Sequence, residues 1–329
     1  MQQRSLGNSG LAVSSIGLGL AALGRPGYIN LGHEEDLEAD YTVVAMEARA
    51  YRVLDSAWEA GVRYYDAARS YGRAEAFLSS WLQARKHQDL TVGSKWGYTY
   101  MADWGVQADA HEIKEHSLDV LTKQTAQSRE LFGDRLHLYQ IHSATLESGV
   151  LENQPVLEKL GELRNSGLKI GLSVSGTKQS EVIRKAVSTE VNGMPLFDTC
   201  QATWNILETS ASGALAEAHD AGVGIIIKEG LANGRLTSRN VCESFAAKRM
   251  IIESMASSYG TTIDALALAA VMALPWVDTV LSGAASVDHL QSNNAAASIK
   301  IDEAAMSQLS VLAETPDDYW ATRSALAWN

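Results

Sequence analysis

Eight short, largely apolar runs separated by longer helix-like stretches recur along almost the whole chain. The runs occupy 15–18, 63–66, 90–93, 136–141, 170–173, 197–201, 224–227 and 279–281. Continuous rather than alternating apolar character is typical of strands that are buried on both faces of a parallel sheet. Several of the stretches between the runs end at a glycine, as the one over 51–60 does before Gly61. The pattern predicts parallel strands joined by helical crossovers.

Eight such units favour a closed (β/α)8 barrel over an open doubly wound sheet. An open sheet of the dinucleotide-binding kind usually carries G-x-G-x-x-G after its first strand, with an acidic residue about 20 positions further on. The first run instead leads into GLGLAALG at 17–24, whose glycines have a different spacing. We therefore predict an α/β fold, a (β/α)8 TIM barrel with long loops at its C-terminal mouth. It is expected to form one domain over residues 1–329, an ordinary length for such a barrel.

Three segments fall outside the repeat. Residues 4–13 indicate an N-terminal β-hairpin around Asn8-Ser9-Gly10, which is placed to close the bottom of the barrel. Residues 25–40 are acidic and rich in turn formers, and they predict a long first loop. The tail over 316–329 either covers the barrel mouth or packs on an outer helix, since its aromatic side chains need a surface to dock on. Those aromatic residues are Tyr319, Trp320 and Trp328.

Charge and cysteine content exclude several classes of partner. The formal net charge of −12 disfavours binding to nucleic acid and to anionic membranes. The two cysteines, Cys200 and Cys242, indicate neither a disulfide framework nor a structural zinc site, and they fit a reducing compartment. The chain shows no signal-like start and no apolar run of about 18 residues. We expect a cytoplasmic protein without a bound metal; the sequence does not indicate an oligomeric state.

Four chemically useful side chains follow successive predicted strands. Asp66 ends the second strand and Tyr71 lies five residues later; Lys95 ends the third strand and His142 the fourth. Each alone has a structural explanation, as a helix cap, a loop aromatic, a solvated strand end or a core imidazole. In a (β/α)8 barrel, however, the C-terminal ends of the strands face one mouth. Their coincidence there predicts a catalytic site.

These four side chains suit reduction of a carbonyl group, which requires a hydride at carbon and a proton at oxygen. A free tyrosine has a pKa of about 10 and is a weak acid at neutral pH. A neighbouring ammonium lowers that pKa, and Lys95 is placed to supply one, with Asp66 holding it in position. His142 is able to orient the substrate oxygen by a hydrogen bond. The expected chemistry is general acid catalysis by Tyr71.

The surrounding segments resemble a known family. GVRYYDAARSYG at 61–72 is similar to the aldo-keto reductase signature, in which an Asp is followed five positions later by the catalytic Tyr. Lys95 within GSKW and His142 within YQIHS match the other two members of the family's tetrad. The resemblance extends from the N-terminal hairpin through the last strand. It implies an NAD(P)H-dependent oxidoreductase that interconverts a small-molecule carbonyl compound and its alcohol, with Tyr71 as the proton donor.

The resemblance also assigns positions to the cofactor, which would lie extended across the mouth. They are Ser173 and Gln201 at the carboxamide, Lys228 beside the nicotinamide ring, Leu231 and Gly234 at the pyrophosphate, and Gly283, Ala285, His289 and Asn293 around the adenosine. Val174 stands where the family commonly has Asn, Lys228 replaces a stacking aromatic residue, and Gly283 replaces a lysine. His289, with Arg235 as a second candidate, would meet a 2′-phosphate. The family default is NADP(H), and NAD(H) stays open.

The loop after Lys95 holds the candidates for substrate contact, Trp96, Tyr98 and Trp104, with Tyr100 among them. These rings suit an aromatic or apolar carbonyl compound, or a sugar ring stacked on indole. Alternatively, they pack the loop against the barrel.

Two other functions fit parts of this pattern. A cofactor-binding regulatory subunit of the same fold, like the potassium-channel beta subunits, would keep the cofactor and show little or no turnover. A barrel lyase would use Lys95 as a Schiff base, which requires a lysine of lowered pKa. A neighbouring Asp66 would oppose that chemistry by holding Lys95 charged.

Overall fold

The computed structural model describes residues 1–37 and 40–329, and a closed barrel of eight parallel strands forms its centre. The strands are β1 (Gln3–Ser5), β2 (Ala12–Ser14), β3 (Ile16–Gly19), β4 (Tyr64–Asp66), β5 (Thr91–Trp96), β6 (Tyr98–Tyr100), β7 (Glu112–Lys114), β8 (Leu138–Ala144), β9 (Lys169–Val174), β10 (Glu190–Val191), β11 (Met194–Pro195), β12 (Thr199–Thr203), β13 (Gly224–Lys228) and β14 (Thr279–Ser282). The barrel order is β3-β4-β5-β8-β9-β12-β13-β14, closing on β3. Each of the eight predicted runs overlaps one barrel strand, so the predicted fold is confirmed.

Helices connect the barrel strands on the outside. They are α1 (His33–Asp36), α2 (Val43–Glu59), α3 (Ala74–Arg85), α4 (Leu118–Phe132), α5 (Gln154–Asn165), α6 (Gln179–Val187), α7 (Ser212–Asp220), α8 (Ala246–Ser258), α9 (Ile263–Met272), α10 (Val287–Ala295), α11 (Glu303–Ser310) and α12 (Pro316–Ser324). Over residues 1–37 and 40–329, no helix combines the length and apolar character needed to cross a membrane.

Helix α2 illustrates how the sequence builds these crossovers. The Thr42 side chain accepts a hydrogen bond from the Ala45 amide, which satisfies one of the free donors at the helix start. Apolar residues recur every three or four positions and are buried against the barrel; among them are Met46, Ala50, Val53, Leu54 and Ala57. The chain turns after the helix at Gly61, whose φ of 88° lies in the left-handed region that favours glycine.

The N-terminal hairpin closes the bottom of the barrel. Strands β1 and β2 pair antiparallel, with Arg4 opposite Val13. Leu6 and Val13 are fully buried in a cluster with barrel residues that include Leu138 and Ile226. Burying each such side chain contributes about 1.5–3 kcal/mol. The predicted hairpin is therefore present and packs where the sequence placed it.

The first loop and the C-terminal tail meet at the opposite end of the barrel. The predicted loop over 25–40 carries the short helix α1, and its residues 38 and 39 lie outside the described part of the chain. The main chains of Tyr28 and Asn329 exchange two hydrogen bonds, of 3.0 and 3.1 Å. The tail was predicted either to cover the mouth or to pack on an outer helix, and it does both. Tyr319 and Trp320 pack in an outer apolar cluster, and Trp328 reaches the mouth.

Candidate active site

A groove with a volume of about 990 Å³ crosses the C-terminal ends of the barrel strands. Most of the residues predicted for catalysis and cofactor binding, and one predicted for substrate contact, line it: Asp66, Tyr71, His142, Gln201, Lys228, Leu231, Gly234, Gly283, His289 and Asn293, with Tyr98 for the substrate. Lys95, Ser173 and Trp96 are fully buried in the wall below. The strand ends thus bring the four predicted catalytic residues together, as their order in the sequence indicated.

Asp66 and Lys95 form a buried ion pair at the floor of the groove. They end the neighbouring strands β4 and β5, and their side chains are 2% and 0% exposed. Lys95 Nζ donates to Asp66 Oδ2 and, over 2.9 Å, to the carbonyl oxygen of Ala67. A buried charge of this kind is tolerated only when it is paired and hydrogen-bonded. The pair carries no net charge into the site.

Three further donors fix the second carboxylate oxygen of Asp66. Oδ1 accepts from the Tyr64 hydroxyl at 2.9 Å, from Gln201 Nε2 at 3.1 Å and from Gln140 Nε2 at 3.2 Å. Tyr64 and Gln140 are fully buried, and the sequence had not singled them out. Gln201 was predicted to bind the nicotinamide carboxamide; in the structure its amide nitrogen is committed to Asp66. The carboxylate is therefore held rigidly by donors from three strands.

Tyr71 projects from the loop between β4 and α3. Its hydroxyl lies 3.5 Å from His142 Nε2, and Lys95 Nζ lies 4.9 Å from the centre of its ring. Burial, and secondly the Asp66 carboxylate, raise the pKa of Tyr71 well above its usual value, while Arg25 opposes the shift. The expectation that Lys95 lowers this pKa is corrected, because Asp66 neutralises Lys95. Tyr71 is a protonated phenol at neutral pH.

His142 ends strand β8 and faces Tyr71 edge-on, with ring centres 5.4 Å apart. Burial lowers the pKa of His142 well below its usual range, and the positive charges of Lys95, Arg25 and Lys228 lower it further. The imidazole is therefore neutral at physiological pH. The Ser70 hydroxyl lies 3.4 Å from Nδ1. A hydrogen bond donated there leaves the ring proton on Nε2, the nitrogen that faces Tyr71.

Arg25, from the first loop, is a member of the site that sequence reasoning missed. Its guanidinium carbon lies 5.2 Å from the centre of the Tyr71 ring and 4.8 Å from that of Trp328. Nη1 donates to the Ser70 carbonyl at 3.1 Å and to Glu112 Oε1 at 2.5 Å. The two guanidinium-to-ring distances are those of cation–π contacts. Arg25 lies far from Tyr71 in sequence, so strand-end reasoning carries no signal for it.

Lys228 stands at the end of β13 in the middle of the groove. Nζ donates to Thr203 Oγ1 at 2.7 Å and to Ser175 Oγ at 3.1 Å, and it lies 3.7 Å from Glu229. Burial lowers the pKa of Lys228 to about 8, against the attraction of Glu229. Glu229 also pairs with Arg323 of the tail at 2.7 Å. This stretch of groove is therefore polar and cationic rather than aromatic.

The remaining positions assigned to a cofactor are buried and hydrogen-bonded within the protein. Ser173 Oγ accepts from the Ser143 amide at 2.8 Å, inside the wall. Asn293 Nδ2 donates to Ser282 Oγ at 2.8 Å and fixes the far end. Arg235 pairs with Glu314 through two hydrogen bonds, of 2.6 and 3.0 Å, so its predicted role at a 2′-phosphate is corrected.

The predicted substrate contacts also separate. The Tyr98 ring lies 4.8 Å from that of His142 and lines the groove. Trp96 is fully buried and packs edge-on against His116, so its predicted substrate contact is wrong. Trp104 donates its indole N–H to the Tyr41 carbonyl at 2.5 Å and packs on Phe77. For Trp104, the alternative that it packs the loop against the barrel matches the structure.

Comparisons with known proteins agree with this architecture. The model of the aldo/keto reductase family matches residues 16–314. The aldo-keto reductase str7 of Strobilurus tenacellus is 25% identical, over 98% of this chain and 96% of its own. L-Galactose dehydrogenase of Arabidopsis thaliana is 25% identical, over 95% of each chain.

A solved structure gives the same fold. An aldo-keto reductase from Bacillus halodurans, in its holo form, superposes with a TM-score of 0.76 at 23% identity, covering 96% of this chain and 97% of its own. The match of the family model to almost the whole chain settles the relationship. The chain belongs to the aldo/keto reductase family and is an NAD(P)-dependent oxidoreductase.

Proposed function

We propose that this protein reduces an aldehyde or ketone to the alcohol, or catalyses the reverse reaction, with Tyr71 as the general acid. The observation that carries the proposal is the convergence of the Tyr71 hydroxyl and His142 Nε2, 3.5 Å apart, on one groove above the Asp66–Lys95 pair. A carbonyl oxygen placed between these two groups would meet two hydrogen-bond donors. That is the arrangement general acid catalysis requires.

The groove fits an extended dinucleotide. Its volume of about 990 Å³ lies at the upper end of the range for ligand pockets, roughly 300–1,000 Å³. Asn233 lines the groove, and its Oδ1 is buried without a partner among the described residues, which leaves an acceptor for a ligand. A Cβ added at Gly283 would meet no atom within 4 Å, so this end has free space. A bound nicotinamide cofactor would supply the hydride.

The proton follows a short path. The neutral His142 donates from Nε2 to the substrate oxygen and fixes its position. As negative charge develops on that oxygen, the Tyr71 O–H bond breaks and the proton moves to the oxygen, giving the alcohol and a tyrosinate. In the reverse direction the tyrosinate accepts the hydroxyl proton.

Arg25 opposes the rise in the Tyr71 pKa and so stabilises the tyrosinate, whereas the charge of Lys95 is offset by Asp66. Lys95 Nζ lies 4.9 Å and the Arg25 guanidinium 5.2 Å from the centre of the Tyr71 ring. Two unit charges about 5 Å apart attract by roughly 3 kcal/mol at an effective dielectric constant of 20. Burial and Asp66 keep Tyr71 protonated before the reaction. Arg25 then limits the cost of removing its proton.

The geometry disfavours the Schiff-base alternative. A lysine nucleophile needs a free, neutral amine in an apolar pocket. Lys95 Nζ is bonded to Asp66 and to the Ala67 carbonyl oxygen below the groove. Borohydride in the presence of a carbonyl substrate is therefore expected to leave Lys95 unmodified.

The test is to offer the purified protein a panel of aldehydes and ketones and to monitor turnover through the absorbance of NADH or NADPH. Turnover in the wild type and its loss in Tyr71→Phe would support the proposal. Binding of either cofactor without turnover of any compound would overturn it in favour of the regulatory subunit.

A further inference from the structure

The end of the groove furthest from Tyr71 holds a buried carboxylate between two basic side chains. Asp36 Oδ1 accepts from Arg239 Nη2 at 2.5 Å and lies 3.6 Å from His289 Nε2. The Asp36 side chain is 2% exposed, whereas Arg239 and His289 both line the groove. These two are the basic residues of this end that an anionic ligand in the groove would meet.

Arg239 is already hydrogen-bonded to the first loop through both terminal nitrogens. In addition to its bond with Asp36, Nη1 donates to the carbonyl oxygen of Gly32 at 2.8 Å. Gly32 has a φ of 72°, and a Cβ there would lie 2.8 Å from Arg239 Nη1. The close fit of the loop against the guanidinium therefore depends on glycine. Both terminal nitrogens of Arg239 are engaged within the protein.

The charges at this end do not favour a second phosphate. Glu253 and Asp264 also line the groove, and with Asp36 they make three carboxylates. The basic groups beside these carboxylates are Arg239, His289 and Arg249, the last of which lies 3.9 Å from Glu253. Helix α10 begins here, and its N terminus contributes about half a positive charge. A phosphate monoester brings roughly −1.5 to −2 charges and only acceptor oxygens near neutral pH. The basic groups here already have carboxylate partners, so they offer a phosphate little free positive charge.

A hydroxyl group suits the same place. Asp36 Oδ2 is buried and has no hydrogen-bond partner among the described residues. Asp36 is not among the residues that line the groove, so it acts on a ligand through Arg239 and His289. A ribose 2′-hydroxyl carries no charge and does not depend on free basic groups, whereas a 2′-phosphate does. The same carboxylate therefore favours one form of the cofactor and penalises the other.

We propose that Asp36 is a specificity-determining residue that makes this enzyme prefer NAD(H) to NADP(H), by offsetting the charge of Arg239 beside His289 at the adenosine end. The inference rests on the proposed function, because it assumes that the dinucleotide lies along this groove with its nicotinamide at Tyr71. It reverses the NADP(H) preference that the family resemblance implies. It assigns to the first loop a role in choosing the cofactor.

The test is to measure dissociation constants for NADH and NADPH by quenching of tryptophan fluorescence, without substrate. The wild type is expected to bind NADH more tightly. Asp36→Asn removes the charge at nearly constant size, and it should tighten NADPH binding about tenfold, a change of about 1.4 kcal/mol. It should change NADH binding much less. Asp36→Ser provides a second variant if the first does not fold.

Glu253→Gln is the matched control, since it removes a carboxylate from the groove rim that does not contact Arg239. It should change NADPH binding less than Asp36→Asn does. Equal effects of the two variants, or equal changes for both cofactors, would overturn the role of Asp36. A wild type that binds NADPH more tightly would overturn the inference alone. Absence of binding to either cofactor would instead overturn the proposed function.

Discussion

The Tyr71 hydroxyl and His142 Nε2 lie 3.5 Å apart, and burial shifts the pKa values of the two groups in opposite directions, upward for Tyr71 and downward for His142. One low-dielectric environment therefore keeps both groups uncharged. Both then act as hydrogen-bond donors toward the same point in the groove. For a reaction that builds negative charge on a carbonyl oxygen, neither donor has to be converted first.

Replacing Tyr71 by Phe should abolish proton donation while preserving the ring that packs below Arg25. We expect kcat to fall by about 10²–10⁴-fold, the usual contribution of general acid catalysis. The dissociation constant of the preferred cofactor should change little. Steady-state kinetics measure the fall in kcat, and fluorescence titration measures the dissociation constant of the cofactor. Tyr98→Phe, which removes a hydroxyl from the same mouth, is the control; an equal fall in kcat for that variant would remove the special role of Tyr71.

The pH dependence of kcat for reduction should show a wide plateau. His142 must be neutral, and its lowered pKa keeps it so down to well below 6.5. Tyr71 must be protonated, and its raised pKa keeps it so beyond 10.0. The rate should therefore stay constant between these values, fall on the acid side as His142 gains a proton, and fall on the alkaline side as Tyr71 loses one. An ionisation of kcat between pH 7 and 9 that disappears in Tyr71→Phe or His142→Gln would contradict these shifts.

The Asp66–Lys95 pair should show strong thermodynamic coupling. Lys95→Met leaves a buried carboxylate without its cation, which typically costs about 3–5 kcal/mol of unfolding free energy. Three other donors still hold Asp66, so we expect a loss near the lower end of that range. The double variant Asp66→Asn/Lys95→Met should be more stable than Lys95→Met alone. Urea denaturation of the wild type, Asp66→Asn, Lys95→Met and the double variant measures the coupling. Additive losses of unfolding free energy would indicate that the two groups do not interact.

Sequence order alone was enough to predict which side chains meet at the mouth. Parallel strands must present their C-terminal ends on the same side, so Asp66, Lys95 and His142 had to converge whatever the detailed packing. The eight apolar runs likewise predicted the eight strands of the barrel. The hairpin around Asn8-Ser9-Gly10 could also be read from its turn residues. These features follow from local pattern and topology.

Features that depend on tertiary approach could not be read from the sequence. Arg25 and Asp36 come from a loop whose path is set by contacts with Trp328 and Arg239, far along the chain. Trp96 and Tyr98 are two residues apart, yet one is buried in the core and the other lines the groove, because the chain leaves the barrel at Gly97. The sign of the Tyr71 pKa shift likewise needed the depth of burial, which spacing does not reveal.

The last four residues should act as a strap over the first loop. The main chains of Asn329 and Tyr28 exchange two hydrogen bonds, Asn329 Oδ1 accepts from the His33 amide at 2.9 Å, and Trp328 stacks on His111 with ring centres 3.9 Å apart. Deletion of 326–329 should free the loop that carries Arg25. We expect a raised KM and faster cofactor release, since a closed loop commonly holds the bound ligand and slows its release.

The stability of the barrel should survive this deletion, because Tyr319 and Trp320 anchor α12 independently in the outer apolar cluster. Stopped-flow measurement of cofactor release, together with thermal unfolding, separates the two effects. Asn329→Ala is the matched control, because it removes the side-chain bonds to His33, Glu34 and Ala327 and keeps the main-chain pair with Tyr28. Its effect on release should be smaller than that of the deletion. If the deletion leaves both KM and the release rate unchanged, the tail packs on the loop without restraining it.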